Sequence, residues 1–170
     1  VTRTAPQLGT DDIDPVAHDF EVELGYRYHS AAVIGAAPDG PVHADPRQTN
    51  GEPGFRASHL WLGPDRSTID LAGPGFALLA PAAPSPWLDA LPAVQTALPG
   101  LRIDGLAAEA VPSHNGGPDQ PKGTVAERFG LGPGGASLIR PDGFVAWRAH
   151  DPSPDPIAGL TAALRQILDR

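Results

Sequence analysis

The sequence predicts an α/β fold: a mixed sheet flanked by helices, with an N-terminal extension of strand and loop. Three observations point there. Strand-like and helix-like segments alternate twice between Phe76 and Leu131. Pro141-Asp142-Gly143 separates two apolar runs, which is a hairpin signature. Ile157, Leu160, Leu164, Ile167 and Leu168 then recur at helical spacing, one apolar stripe able to cover a sheet.

The elements follow in order. Residues 1–19 are polar and acidic, as expected of a tail or linker. Phe20, Val22, Leu24, Tyr26 and Tyr28 alternate with Glu21, Glu23, Arg27 and His29, a period of two that predicts a strand with one buried face. Residues 36–54 hold almost nothing that could build a core and read as a long loop, with Asn50-Gly51 as a turn. Residues 59–62 and 67–71 predict a hairpin turning at 63–66.

Residues 76–80 are continuously apolar, the pattern of a strand covered on both faces. Ser85 and Pro86 suit the N-cap and first position of a helix that Pro92 would kink or shorten. Residues 101–111 hold another strand, and 112–123 a polar loop. Thr124 is placed to cap a short helix running to Leu131, with Glu127 completing a capping box. Residues 136–140 and 144–148 are the hairpin strands, and Ser153-Pro154 opens the last helix. From Phe76 onward this is the element order of the thioredoxin fold.

Composition narrows the function. The chain has 170 residues and a net charge of −8, and its one Lys and eleven Arg do not cluster, which argues against nucleic acid. No apolar run reaches the roughly 18 residues of a membrane span, and no basic segment precedes an apolar one as in a secretion signal. With no Cys, disulfides, thiolate catalysis and Cys-ligated metals are excluded. The Met-free chain begins at Val1, so a piece of a longer polypeptide is the expectation.

Candidate chemistry is sparse. Ser85 has no His or acid near it in sequence, and a capping role accounts for it. His18, His29, His43, His59, His114 and His150 include no pair at metal-ligand spacing. Asp11, Asp12 and Asp14 lack the spacing and glycine of a calcium loop. Asp142-Gly143 is turn chemistry. The run from Gly130 to Gly135 follows a helix and precedes a strand, the reverse of what phosphate binding at a helix N-terminus needs.

Five segments together resemble a known family: Leu24-Gly25-Tyr26-Arg27-Tyr28-His29-Ser30-Ala31-Ala32-Val33, Asp45-Pro46-Arg47, Pro53-Gly54-Phe55-Arg56-Ala57-Ser58-His59-Leu60-Trp61-Leu62, and the stretches 67–79 and 138–148. In their order they are similar to the C-terminal part of the FAD-dependent aromatic-ring hydroxylases, of the polyketide and anthracycline type and, more distantly, the phenol hydroxylases. One departure is Ser58, where the family usually has Pro between Arg and His.

The resemblance implies a cysteine-free, redox-inactive thioredoxin-like domain over 67–170, an extension over 20–66 resembling the exit from the substrate domain, and a tail or linker over 1–19. The parent reaction it implies is NAD(P)H- and O2-dependent hydroxylation of an aromatic or polyketide substrate, with FAD held elsewhere and no cofactor, catalytic residue or metal in this chain. Arg56 and His59, in the most family-like loop, either fix that loop by local hydrogen bonding or contact the hydroxylase body in cis or in trans. A homodimer and a cytoplasmic, bacterial setting also fit. Two rivals stay open: a stand-alone accessory protein that docks on a flavin monooxygenase, and a cysteine-free enzyme working through Ser85 or a His site.

Overall fold

The computed structural model describes residues 15–63, 65–108 and 123–169. Helix α1 spans Pro15–Leu24, and irregular chain runs from there to Leu60. Strands β1 (Trp61–Gly63) and β2 (Arg66–Ser67) pair antiparallel and lead into a 3-10 helix, Thr68–Leu71. There follow β3 (Phe76–Ala80), α2 (Pro86–Asp89), α3 (Leu91–Ala97), β4 (Ile103–Ala107), α4 (Val125–Phe129), β5 (Ala136–Ile139), β6 (Val145–Ala149) and α5 (Pro156–Leu168).

The four-stranded sheet has the order β4-β3-β5-β6. β3 and β4 run parallel, and β5 is antiparallel to both β3 and β6. This is a thioredoxin-like mixed sheet, as the element order predicts. β3 shows why its residues are continuously apolar. Phe76 and Leu78 face one core with Trp87, Val94, Leu160 and Leu164, while Ala77 and Leu79 face a second with Val125, Phe129 and Val145. The first core lies under α2, α3 and α5, and the second under α4 and the β1–β2 hairpin. Each fully buried Leu or Phe contributes roughly 1.5–3 kcal/mol.

Local signals decide several boundaries. The Thr124 hydroxyl accepts from the Glu127 N–H at 3.2 Å, and the Glu127 carboxylate accepts from the Thr124 N–H at 2.8 Å. Gly130 ends α4 in the left-handed conformation, φ 56°. Pro92 does shorten its helix, because the segment breaks at Ala90 and restarts as α3. The final helix begins two residues later than Ser153-Pro154: Asp155 is its cap, accepting from the Ala158 N–H at 2.9 Å. Thr68–Leu71 is a 3-10 turn instead of a full partner strand, because a capping box between Ser67 and Asp70 winds it.

The extension departs further from expectation. Phe20 to Leu24 belongs to α1, so no strand covers 20–28, and part of the expected 1–19 tail is helical. The alternating pattern hid a second period: Phe20 and Leu24 are four apart and share one helical face, which lines a cleft. Only Tyr26, through a single bridge to His43, keeps β pairing. The expected loop at 112–123 and the acidic residues Asp11, Asp12 and Asp14 lie outside the described residues, Gly123 excepted.

The rest of the extension is tied to the sheet. The Ile34 N–H donates to the Ala146 carbonyl at 2.7 Å, and the Gly54 N–H to Val145 at 2.8 Å. The Val145 N–H returns to Phe55 at 2.9 Å, and the Ala57 N–H donates to Gly143 at 2.9 Å. These bonds cover the outer side of β6 at its start, Val145 and Ala146, which would otherwise be an open edge. The 36–54 loop wraps a buried cation. Arg27 pairs with Glu52, donates to the Ala37 carbonyl at 3.3 Å, and lies 4.4 Å over the Phe55 ring.

Candidate functional site

Arg56 and His59 come together with residues from five other parts of the chain. They line a cleft of about 440 Å³ with Phe20 and Leu24 of α1, Pro46 and Arg47 of the long loop, Thr68 and Ile69 of the 3-10 helix, Arg128 of α4, and Asp142 of the hairpin turn. The volume falls in the range of ordinary ligand pockets.

Each wall has a local cause. The Thr68 hydroxyl donates to the Ser58 carbonyl at 2.7 Å and accepts from the Leu60 N–H at 2.9 Å, which fixes the backbone on both sides of His59. The His59 ring meets Trp61 edge to face at 5.5 Å. Arg56 bridges to Phe144 across the sheet margin, and its guanidinium lies over the Phe144 and Tyr26 rings. Arg47 lies over Phe20 at 4.8 Å, and Arg128 donates to the Arg47 carbonyl. Burial pulls the Arg128 guanidinium below its ordinary value, opposed by the Asp45 carboxylate.

Of the residues lining this cleft, the sequence singled out Arg56 and His59 as candidates, but not Arg47, Arg128, Phe20 or Leu24. Asp14-Pro15, the residue types favoured at a helix start, was an available signal for α1. Nothing local linked Arg128 to the loop.

The remaining candidates do not join the cleft. Ser85 sits at the N-cap position of α2, but its hydroxyl makes no capping bond and is buried without a partner. The expected capping role is therefore corrected. Asp142 behaves as turn chemistry requires, pairing with Arg140 at 2.7 Å and accepting from the Phe144 N–H at 3.3 Å. His29 and His43 are exposed, and His150 pairs with Asp151 at 3.1 Å. Among the described residues no three His, Asp or Glu side chains gather as a metal site would, and no helix is long and apolar enough to cross a membrane.

A family model described as aromatic-ring hydroxylase, C-terminal, matches residues 50–170. The chain belongs to that family. It is 41% identical to a 4-methyl-5-nitrocatechol 5-monooxygenase of Burkholderia sp, covering all of this chain and 31% of that protein. It is 40% identical to an aklavinone 12-hydroxylase of Streptomyces purpurascens, over 88% of this chain and 27% of the other. Among solved structures, aklavinone-11 hydroxylase in a ternary complex with FAD and aklavinone aligns at TM-score 0.73 and 37% identity, over 88% of this chain and 27% of that one. The flavin-dependent monooxygenase PieE, solved with FAD and substrate, aligns at TM-score 0.59 and 29% identity, over 90% of this chain and 26% of that one. This hydroxylase region thus spans under a third of the length of the relatives it matches.

The glycine run of this hydroxylase region does not fit a dinucleotide. Gly130 is the C-cap of α4, and β5 follows. Its amides are already used: the Gly132 N–H donates to the His150 carbonyl at 2.8 Å and the Gly135 N–H to Gly132 at 3.0 Å. A phosphate cradle needs free amides at a helix N-terminus.

Proposed function

We propose that this chain is the redox-inactive structural and contact region of an FAD-dependent aromatic-ring hydroxylase, silent alone, with hydroxylation carried by flavin bound in the rest of the enzyme. The observation that carries this reading is the loop after β3. In a redox thioredoxin the cysteines follow the first strand, and here that loop is Pro81-Ala82-Ala83-Pro84-Ser85-Pro86-Trp87. Its single hydroxyl is buried and Trp87 is core, with its indole N–H donating to the Gly134 carbonyl at 3.0 Å. A scaffold with that loop orders and covers a neighbour; the cofactor supplies the hard chemistry.

On this reading the face bearing Arg56 and His59 meets the flavin and substrate domains, in cis or in trans, in the cytoplasm. The family membership and the short coverage of the relatives support it. Titration of the purified chain with FAD, followed by gel filtration, tests it. The expected result is no retained flavin absorbance and no NAD(P)H consumption with phenolic substrates. Stoichiometric flavin, or turnover by the flavin-free chain, would overturn it.

A further inference from the structure

The cleft is a cationic place in a chain of net charge −8. Among the described residues, no carboxylate pairs with Arg47, Arg56 or Arg128. The nearby acids are occupied. Asp142 serves Arg140 and the turn, while Asp45 binds the Arg47 N–H at 2.9 Å and the Gln48 side chain at 3.1 Å. The Nε of Arg56 and of Arg128 is buried with no acceptor. A buried N–H with no acceptor costs stability until one is supplied; Arg128 already has the Arg47 carbonyl on a terminal nitrogen and lacks a partner only at Nε. Stacking of Arg47 on Phe20 and Arg56 on Phe144 holds two of the planes still while leaving N–H edges free, an arrangement suited to a carboxylate.

The mouth of the cleft is apolar, with Leu24 41% and Ile69 64% exposed. Five of the six large hydrophobics left exposed among the described residues (Val22, Leu24, Tyr28, Val42 and Ile69) precede the four-stranded sheet. A free small acid would not cover them; a protein surface would.

We infer that the cleft seats an acidic segment of the surrounding hydroxylase polypeptide, its Asp or Glu carboxylate clamped by Arg47, Arg56 and Arg128 while apolar neighbours cover Leu24 and Ile69. This rests on the proposed function. The length argues the same way, because the matched relatives carry more than two thirds of their chain outside this region.

Arginine labelling with hydroxyphenylglyoxal, read by peptide mass spectrometry, tests the inference on the 170-residue chain and on the full hydroxylase that carries it. Exposed Arg165 of α5 is the internal reference. The three cleft arginines should label in the chain and be protected about tenfold in the full enzyme, since each N–H edge engaged by the seated segment is withheld from the reagent. Arg47→Gln, a change at an exposed side chain, should make one carboxylate outside this region more reactive toward carbodiimide and glycine ethyl ester. Equal arginine labelling in both proteins would overturn the inference. So would protection with no carboxylate released, the signature of purely apolar cover, or protection of the isolated chain by added benzoate alone. Amide hydrogen exchange over 54–60 separates the two levels. Slower exchange in the full enzyme with unprotected arginines leaves the contact region standing and removes the carboxylate; unchanged exchange removes both.

Discussion

The Arg56 guanidinium lies 4.8 Å from the centroid of the Phe144 ring, and the same two residues are bridged through their backbones at the sheet margin. One pairing therefore fixes both the position of a cleft arginine and the start of β6. The two side chains differ sharply in role. Phe144 is 2% exposed and packs against Tyr26 and Tyr28, each at 5.1 Å.

Truncating the pair should show that difference. Phe144→Ala should cost about 3–5 kcal/mol through the cavity it leaves. Arg56→Ala should cost only about 0.5–1 kcal/mol, the worth of a partly exposed cation over a ring. Urea midpoints measure both, and the reverse ranking would contradict the packing described.

Thr68 is the tie behind His59. Thr68→Val keeps the shape and removes the hydroxyl that serves both the Ser58 carbonyl and the Leu60 N–H. Two buried groups lose their partner, so about 2 kcal/mol of stability should go. The Leu60 amide should then exchange faster than those of β5; unchanged exchange would refute the tie.

The Arg27–Glu52 pair is asymmetric, with side-chain exposures of 2% and 49%. Arg27→Ala should destabilise by about 3 kcal/mol, because it empties the space of a buried side chain and strips the cover from the Phe55 ring. Glu52→Gln should cost less, since Arg27 retains the Ala37 carbonyl and the Phe55 face. Denaturant unfolding of the two variants checks the order.

The Glu127 carboxyl is held below its ordinary value by the Thr124 backbone N–H and then by the Thr124 hydroxyl. A lowered folded value means the contribution is present above the unfolded value and is lost as pH falls through the folded one. The stability gap between the native chain and Glu127→Gln should therefore be full at neutral pH and close on acidification. At neutral pH, Thr124→Ala should cost about 1 kcal/mol as a lost cap. A gap that widens in acid would show that the box is not made.

Much of the sheet was legible because its signals are local. Five apolar residues in β3, the Thr124-to-Glu127 box and the Pro141-Asp142-Gly143 turn each carry their instruction within a few positions. The α1 segment misled because its side chains satisfy two periods at once, and contacts between Phe20 and distant Arg47 select the helical one. The cleft was only half legible. Arg56 and His59 stood out through family likeness, whereas Arg128 reaches it by the placement of α4, and no spacing in the sequence encodes that.

The hydrogen bonds that Gly54 and Phe55 make with Val145, and Ala57 with Gly143 just ahead of β6, bear on how the molecule can be cut and recombined. A chimera that starts at Ser67 and keeps only the sheet and its helices would bare the β6 backbone and free it to pair with other copies. Swaps between hydroxylases should therefore place the junction ahead of α1, so that the wrapping segment travels with the strand it seals.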